Sequence, residues 1–157
     1  MAHEFKAQLV RVVDGDTIDA DIHLGFNMIM RDRIRLMGID TPESRTRNLQ
    51  EKSWGMASKH RLIELMAETD GHFVLHTEEM KKGKFGRVLG TIMVNGKDAN
   101  QVLIDEKLAI PYLGGNKDES RTKYGVVDLW NTDYENPQEH DDDHEHGDEP
   151  EGIDWHA

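Results

Sequence analysis

Ile18, Ala20, Ile22 and Leu24 alternate without a break against Asp19, Asp21 and His23. A period of two makes this a strand with one dry and one wet face, since a helix would need apolar residues spaced by three and four. The flanking runs agree. Residues 7–13 read as a preceding strand, 25–27 as a turn, and 28–39 as a third strand; 73–76 and 88–94 read as a fourth and fifth. Between them the period changes: Trp54, Ser58, Leu62 and Met66 step by four, with Ala57 and Leu65 widening the stripe, so 48–67 reads as a helix. Asp98 can cap a second helix whose inner face is Ala99, Val102, Leu103 and Leu108. Residues 118–130 read as a short helix or turn, with Tyr124, Val127 and Trp130 packing back on the domain. Short strands in this order, with a helix after the third and another after the fifth, suit an α+β fold: a five-stranded OB-type β-barrel with packed helices. Such barrels host binding and catalysis alike, so function has to be argued from particular residues.

The formal charge of -12 over 157 residues looks unsuited to a nucleic-acid partner until it is divided along the chain. Residues 132–157 hold 11 of the 31 acidic residues and none of the 19 basic ones, leaving the other 20 acids against all 19 bases in residues 1–131. The expected division is therefore a nearly neutral folded domain over 1–131 and an acidic tail over 132–157. The tail is too polar to bury a core, and its four histidines among carboxylates offer a loose metal site at most. Basic residues cluster at Arg31, Arg33, Arg35, Arg45 and Arg47, and again at Lys81, Lys82, Lys84 and Arg87. A local basic cleft is expected, with weak, salt-sensitive affinity for a polyanion. Absence of cysteine excludes disulfides, thiolate catalysis and cysteine-based zinc sites. With no apolar leader and no segment long enough to span a bilayer, the sequence as given reads as cytosolic, in the manner of a bacterial or phage protein.

Three segments carry chemistry. Residues 31–43, Arg-Asp-Arg-Ile-Arg-Leu-Met-Gly-Ile-Asp-Thr-Pro-Glu, place Arg31, Arg33 and Arg35 on one face of a strand that Pro42 then breaks, leaving Asp40 and Glu43 at its end. A guanidinium and two carboxylates at a rigid strand end can clamp a phosphate, hold an ion and handle a water, although a satisfied surface turn has the same composition. Asp14-Gly15-Asp16-Thr17 joins the first two strands. Its carboxylates are hard donors of the kind calcium and magnesium prefer, while Asp-Gly is also a favoured hairpin turn for steric reasons. The third segment, Lys82-Gly83-Lys84-Phe85-Gly86-Arg87, is a basic loop that delivers Arg87 to the start of a strand.

In this order and at these gaps the three segments resemble the staphylococcal (micrococcal, thermonuclease-like) nuclease family. Its marks are an Asp-Gly-Asp-Thr turn, a strand ending Arg-(four residues)-Asp-Thr-Pro-Glu, and a Lys-(aromatic)-Gly-Arg loop. Val94-Asn95-Gly96-Lys97 before a helix ending Lys107-Leu108-Ala109, followed by Tyr112, agrees as well; the resemblance runs from about Leu9 to Tyr112 and fades beyond. It implies an OB barrel, a DNA and/or RNA substrate cut with low sequence specificity, 3'-phosphate products and one calcium ion. The implied ligands are the Asp16 and Asp40 carboxylates and the Thr41 carbonyl, with Asp14 one step back, orienting waters or the turn. Glu43 would position or deprotonate the attacking water, and Arg35 and Arg87 would bracket the phosphate. Lys84, Phe85 and Tyr112 would contact phosphate or base; Phe85 stands where the family usually has tyrosine, so it can stack but not hydrogen-bond. No membrane contact or obligate protein partner is expected. The alternative is a noncatalytic OB-fold module that binds nucleic acid or protein, favoured by the near-neutral domain and the acidic tail.

Overall fold

The structure, a computed structural model, describes residues 3–78 and 86–135. Lys81, Lys82, Lys84 and Phe85, and the acidic stretch from residue 136 onward, lie outside the described residues. The strands are β1 (His3–Asp14), β2 (Thr17–Gly25), β3 (Met28–Leu36), β4 (Ile39–Asp40), β5 (His72–Thr77), β6 (Val88–Val94), β7 (Lys97–Asp98) and β8 (Ile110–Pro111). The helices are α1 (Leu49–Ala67), α2 (Ala99–Asp105) and α3 (Lys117–Lys123), with a 3-10 turn at Leu129–Asn131.

Five strands close a hydrogen-bonded ring, as the α+β barrel reading expects. Strand β1 pairs antiparallel with β5 through His3–Gln8 and with β2 through Ala7–Asp14, and bulges between Leu9 and Arg11 and between Val12 and Asp14 bend it from one neighbour to the next. β2 pairs with β3, β5 with β6, and a parallel contact between β3 and β6 (Ile34↔Val88, Arg35↔Leu89, Leu36↔Gly90) completes the ring. Dry faces supply Leu9, Ile18, Ile22, Ile34, Leu36, Leu75 and Ile92, and the helices add Leu62, Leu65, Met66 and Leu103, all fully buried. Asn48 caps α1 by accepting from Gln50 N and Glu51 N, and Asp98 caps α2 through Gln101 N.

Tertiary structure changes four expectations. The third strand stops at Leu36 instead of running to Ile39, because a turn at Met37 and Gly38 redirects the chain. Ile39 and Asp40 then pair with Ile110 and Pro111 in a separate two-stranded sheet. Arg31 and Arg33 do not line a basic cleft. On the wet face of β3 they meet the acids of β2, Arg31 bonding Asp21 at 2.8 Å and Arg33 bonding Asp19 at 2.8 Å. Helix α2 ends at Asp105, and Lys107, at φ 63, reverses the chain so that Leu108 N bonds Leu103 O at 2.9 Å; Leu108 is still buried, but beyond the helix.

At the end of α3, Gly125 has φ 71, and Val126 N bonds Arg121 O at 3.0 Å. That left-handed residue favours glycine and turns Val126 and Trp130 inward, leaving Tyr124 and Val127 exposed instead of packed. Beyond the 3-10 turn, Trp54 Nε1 donates to Thr132 O at 2.8 Å, and the Tyr134 ring meets Trp54 edge-on at 4.9 Å. Packing on α1 therefore extends at least three residues past Asn131.

Candidate active site

Strand register brings the Asp14–Thr17 turn, the end of the 31–43 segment and Arg87 to one end of the barrel. Thr17 pairs with Arg35, which sets Asp16 beside that arginine, and the parallel β3–β6 contact sets Arg87, just ahead of Val88, beside the same strand end. A cleft of about 700 Å³ opens there. Asp14, Asp16, Arg35, Thr41, Glu43, Arg87, Tyr112 and Lys117 line it. Every expected site residue within the described residues either lines this cleft or, in the case of Asp40, lies under it next to Lys117, whose Nζ is 3.6 Å from Asp40 Oδ1.

Arg35 is half structural. It donates to Leu36 O and Ile39 O, both at 2.8 Å, and so holds the turn that carries Asp40; the same guanidinium lies 3.4 Å from Asp16 Oδ2. Two of its five N–H groups are spent on carbonyls, and its Nη2 also faces Asp16. Asp16 Oδ1 accepts from Thr17 Oγ1 at 3.0 Å. Asp14 Oδ1 accepts from Ser44 Oγ, tying the β1–β2 turn to the segment that carries Glu43. Tyr112 is anchored at both ends, its N–H donating to Gly38 O and its hydroxyl to Gly115 O, each at 2.8 Å. The Lys117 ammonium lies 5.9 Å from the Tyr112 ring centre.

Glu43 is exposed as a residue, yet the cleft walls partly desolvate its carboxyl and push its pKa above the ordinary carboxylate value. Lys117 and Arg121 oppose that rise, and Asp16 and Asp40 add to it. Its backbone N–H donates to Glu51 Oε2 at 2.9 Å, which fixes where the side chain leaves the loop.

Sequence reasoning missed Arg121 altogether. From α3 it donates to Asp40 Oδ2 at 3.0 Å, Glu51 Oε2 at 2.8 Å and Thr41 O at 3.2 Å. Burial works against its charge, but Asp40 and Glu51 more than offset this and hold its pKa above the usual range. Its contacts span 70 to 81 residues, so no local pattern announces them. The one available signal was a cation on a short helix that has no buried face of its own.

Whether a hard divalent cation fits can be asked of Asp40. The residue is 1% exposed, and its Oδ1 is buried without a hydrogen bond. A buried carboxylate oxygen that accepts no hydrogen bond, next to the Thr41 carbonyl and with Asp16 on the same cleft, is a hard-donor set of the kind calcium takes, with the Lys117 ammonium 3.6 Å away as the competing cation. The fit is shared rather than exclusive, because Arg121 already uses Asp40 Oδ2 and Thr41 O. Among the described residues no group of three or more acidic or histidine side chains converges on one point, so water and substrate would complete the shell.

Fold and site together define a small OB-type barrel with an acid-and-arginine cleft at one end. The family model described as staphylococcal nuclease homologue matches residues 33–128, and the chain belongs to that family. The match runs past Tyr112, where the resemblance was expected to fade, and takes in α3 with Arg121; it begins after Asp14 and Asp16. The chain is 29% identical over 157 residues to a protein of Methanocaldococcus jannaschii described as uncharacterized, covering 82% of this chain and 73% of that one. It is 32% identical over 118 residues to endonuclease YncB of Bacillus subtilis, covering 74% and 51%. It is 29% identical over 89 residues to the micrococcal nuclease of Shigella flexneri, covering 57% and 42%. The chain thus spans about half the length, or less, of these two relatives named as nucleases. Among the described residues no helix is long and apolar enough to cross a membrane.

Proposed function

We propose that the chain is a calcium-dependent phosphodiesterase that cuts DNA and/or RNA with low sequence specificity and leaves 3'-phosphate ends. The observation that carries this reading is one cleft lined by Arg35, Arg87, Glu43, Asp16 and Thr41, with the buried Asp40 carboxylate beneath. Asp16, Asp40 and the Thr41 carbonyl would hold the cation, which when bound supplies positive charge to the phosphate under attack. Asp14, through Ser44, steadies the loop on which Glu43 stands.

Glu43 orients the attacking water and takes its proton as the oxygen closes on phosphorus. The bond to the 5'-oxygen breaks, leaving phosphate on the 3'-side, and the departing oxygen takes a proton from solvent to become the 5'-hydroxyl. Arg35 and Arg87 stabilise the charge that builds on the equatorial phosphate oxygens. Tyr112 and Lys84, with Phe85, are the candidate contacts to base and flanking phosphate. Asp19 and Asp21 neutralise Arg33 and Arg31, which withdraws these two cations from the grip on a polyanion, and affinity should be weak and salt-sensitive.

A noncatalytic binding module is the second reading. The observation favouring it is Arg121, which satisfies acceptors of Asp40 and Thr41 without any ion. Cleavage of single-stranded DNA and of RNA with calcium, magnesium or EDTA separates the two. Calcium-dependent cleavage abolished by EDTA supports the nuclease, and no cleavage by folded protein under any condition supports the binding module.

A further inference from the structure

Helix α3 buries none of its own residues, yet Arg121 on it is only 15% exposed along its side chain. Nε, Nη1 and Nη2 each have an acceptor, namely Asp40 Oδ2, Glu51 Oε2 and Thr41 O. One face of the guanidinium lies 5.0 Å from the Trp130 ring centre, and that indole is itself held by Lys107 O at 3.1 Å. Position and plane of the group are therefore both specified. Glu51 Oε2 accepts in addition from the Glu43 N–H at 2.9 Å. An unbroken path runs from Asp40 through Arg121 and Glu51 to the backbone of Glu43, joining the cation-binding side of the cleft to the water-handling side.

We propose that Arg121 is a positioning residue of this cleft. It holds Asp40 by one oxygen, leaving the other without a hydrogen bond and facing the Lys117 ammonium at 3.6 Å, fixes the Thr41 carbonyl, and through Glu51 sets the place of Glu43. The proposal rests on the nuclease reading above. A helix anchor alone would not call for this arrangement: burying a charge is costly, and an apolar side chain would dock α3 at less expense. Nor would any cation serve, since a lysine offers its donors from a single nitrogen, whereas the guanidinium reaches Asp40, Glu51 and Thr41 from three and lies over the Trp130 ring.

The test uses the full chain, with Arg121→Gln, Arg121→Lys and Glu51→Ala beside the wild type. Cleavage of single-stranded DNA at saturating calcium gives kcat and KM, and amide hydrogen exchange in EDTA follows Glu43. Arg121→Gln should lower kcat about tenfold to 100-fold, as misplacement of reacting groups does, with KM changed less than about threefold and no rescue by Arg121→Lys. Exchange at the Glu43 amide should rise in Arg121→Gln, although Arg121 does not touch that amide; a mere anchor for α3 would raise exchange in α3 alone.

A folded Arg121→Gln protein with kcat within about twofold of wild type, or full rescue by lysine, overturns the proposal. Should Arg121→Gln not fold, Glu51→Ala decides through kcat, where a loss supports the relay and no change overturns it. A wild type that neither cleaves nor responds to calcium removes the nuclease reading. The positioning claim then stands or falls on Glu43 exchange in Arg121→Gln.

Discussion

Gly55, in the middle of α1, lies directly against the backbone of Glu43. A Cβ there would stand 2.5 Å from the Glu43 carbonyl carbon and 2.6 Å from the Ser44 nitrogen. Helix propensity favours alanine over glycine by about 1 kcal/mol, but here the neighbouring atoms are backbone and cannot swing aside. Gly55→Ala is therefore expected to destabilise the fold by roughly 1–3 kcal/mol, as overpacking does, and to lower cleavage by shifting Glu43. Urea unfolding followed by circular dichroism checks the sign, and a stabilised variant would show that the loop yields.

Glu43→Gln keeps the shape and removes the base. Cleavage should fall by a factor on the order of 100 or more, while calcium titrated without nucleic acid still binds with near-wild-type affinity. Undiminished turnover would take Glu43 out of the mechanism.

Arg35→Lys should be harmful twice over. Lysine cannot donate to Leu36 O and Ile39 O together while also facing Asp16, so about 1–2 kcal/mol of stability should go with the lost carbonyl bond. Turnover should fall further than stability explains, because a point charge does not reproduce the fork. Wild-type turnover in a destabilised variant would confine Arg35 to the turn.

Asp19 predicts a pH dependence remote from the cleft. Its hydrogen bond from Arg33 lowers its pKa below the ordinary 3.8; partial burial opposes this, and Arg11 adds to the lowering. A carboxylate depressed in the folded state stabilises above its unfolded pKa and loses that contribution as pH falls through the lower folded value. Asp19→Asn should therefore cost about 1 kcal/mol or less at pH 7, both arginines being well exposed. The difference should vanish in acid below the folded pKa. A deficit that stays constant down to low pH would assign the effect to packing.

Truncation can distinguish the packed end of the domain from the acidic tail. Ending the chain at Glu135 keeps the bond from Trp54 to Thr132 and the Tyr134 ring contact, whereas ending it at Asn131 removes both. The shorter protein should melt several degrees lower, and the longer one should match full-length protein. Nucleic-acid binding by the Glu135 truncation at low and high salt then reports the tail's electrostatic effect without the confounding loss of fold; equal binding to full-length protein at both would make the tail a spectator.

What was legible in the sequence was whatever depends on neighbours a few positions apart. The alternation at residues 18–24, the four-residue stripe from Trp54 to Met66 and the cap Asp98 are local signals, and each corresponds to an element. The ordered motifs pointed to the family, and the family model matches. The meeting of Asp16, Arg35, Glu43 and Arg87 in one cleft was a matter of strand register and of the parallel closure of β3 on β6.

Other features turned on contacts no window of sequence contains. Arg31 and Arg33 look like a basic patch until β2 lays Asp21 and Asp19 beside them. Val126, not Val127, faces the core because one left-handed residue shifts the chain by a position. Arg121 joins the site across 81 residues of separation. Sequence by itself determined the five long strands, the first two helices and their order, because periodicity and capping act within a turn or a strand. Tertiary structure alone decided which charges are neutralised and which remain for the cleft, because ion pairing depends on the distance between side chains in space.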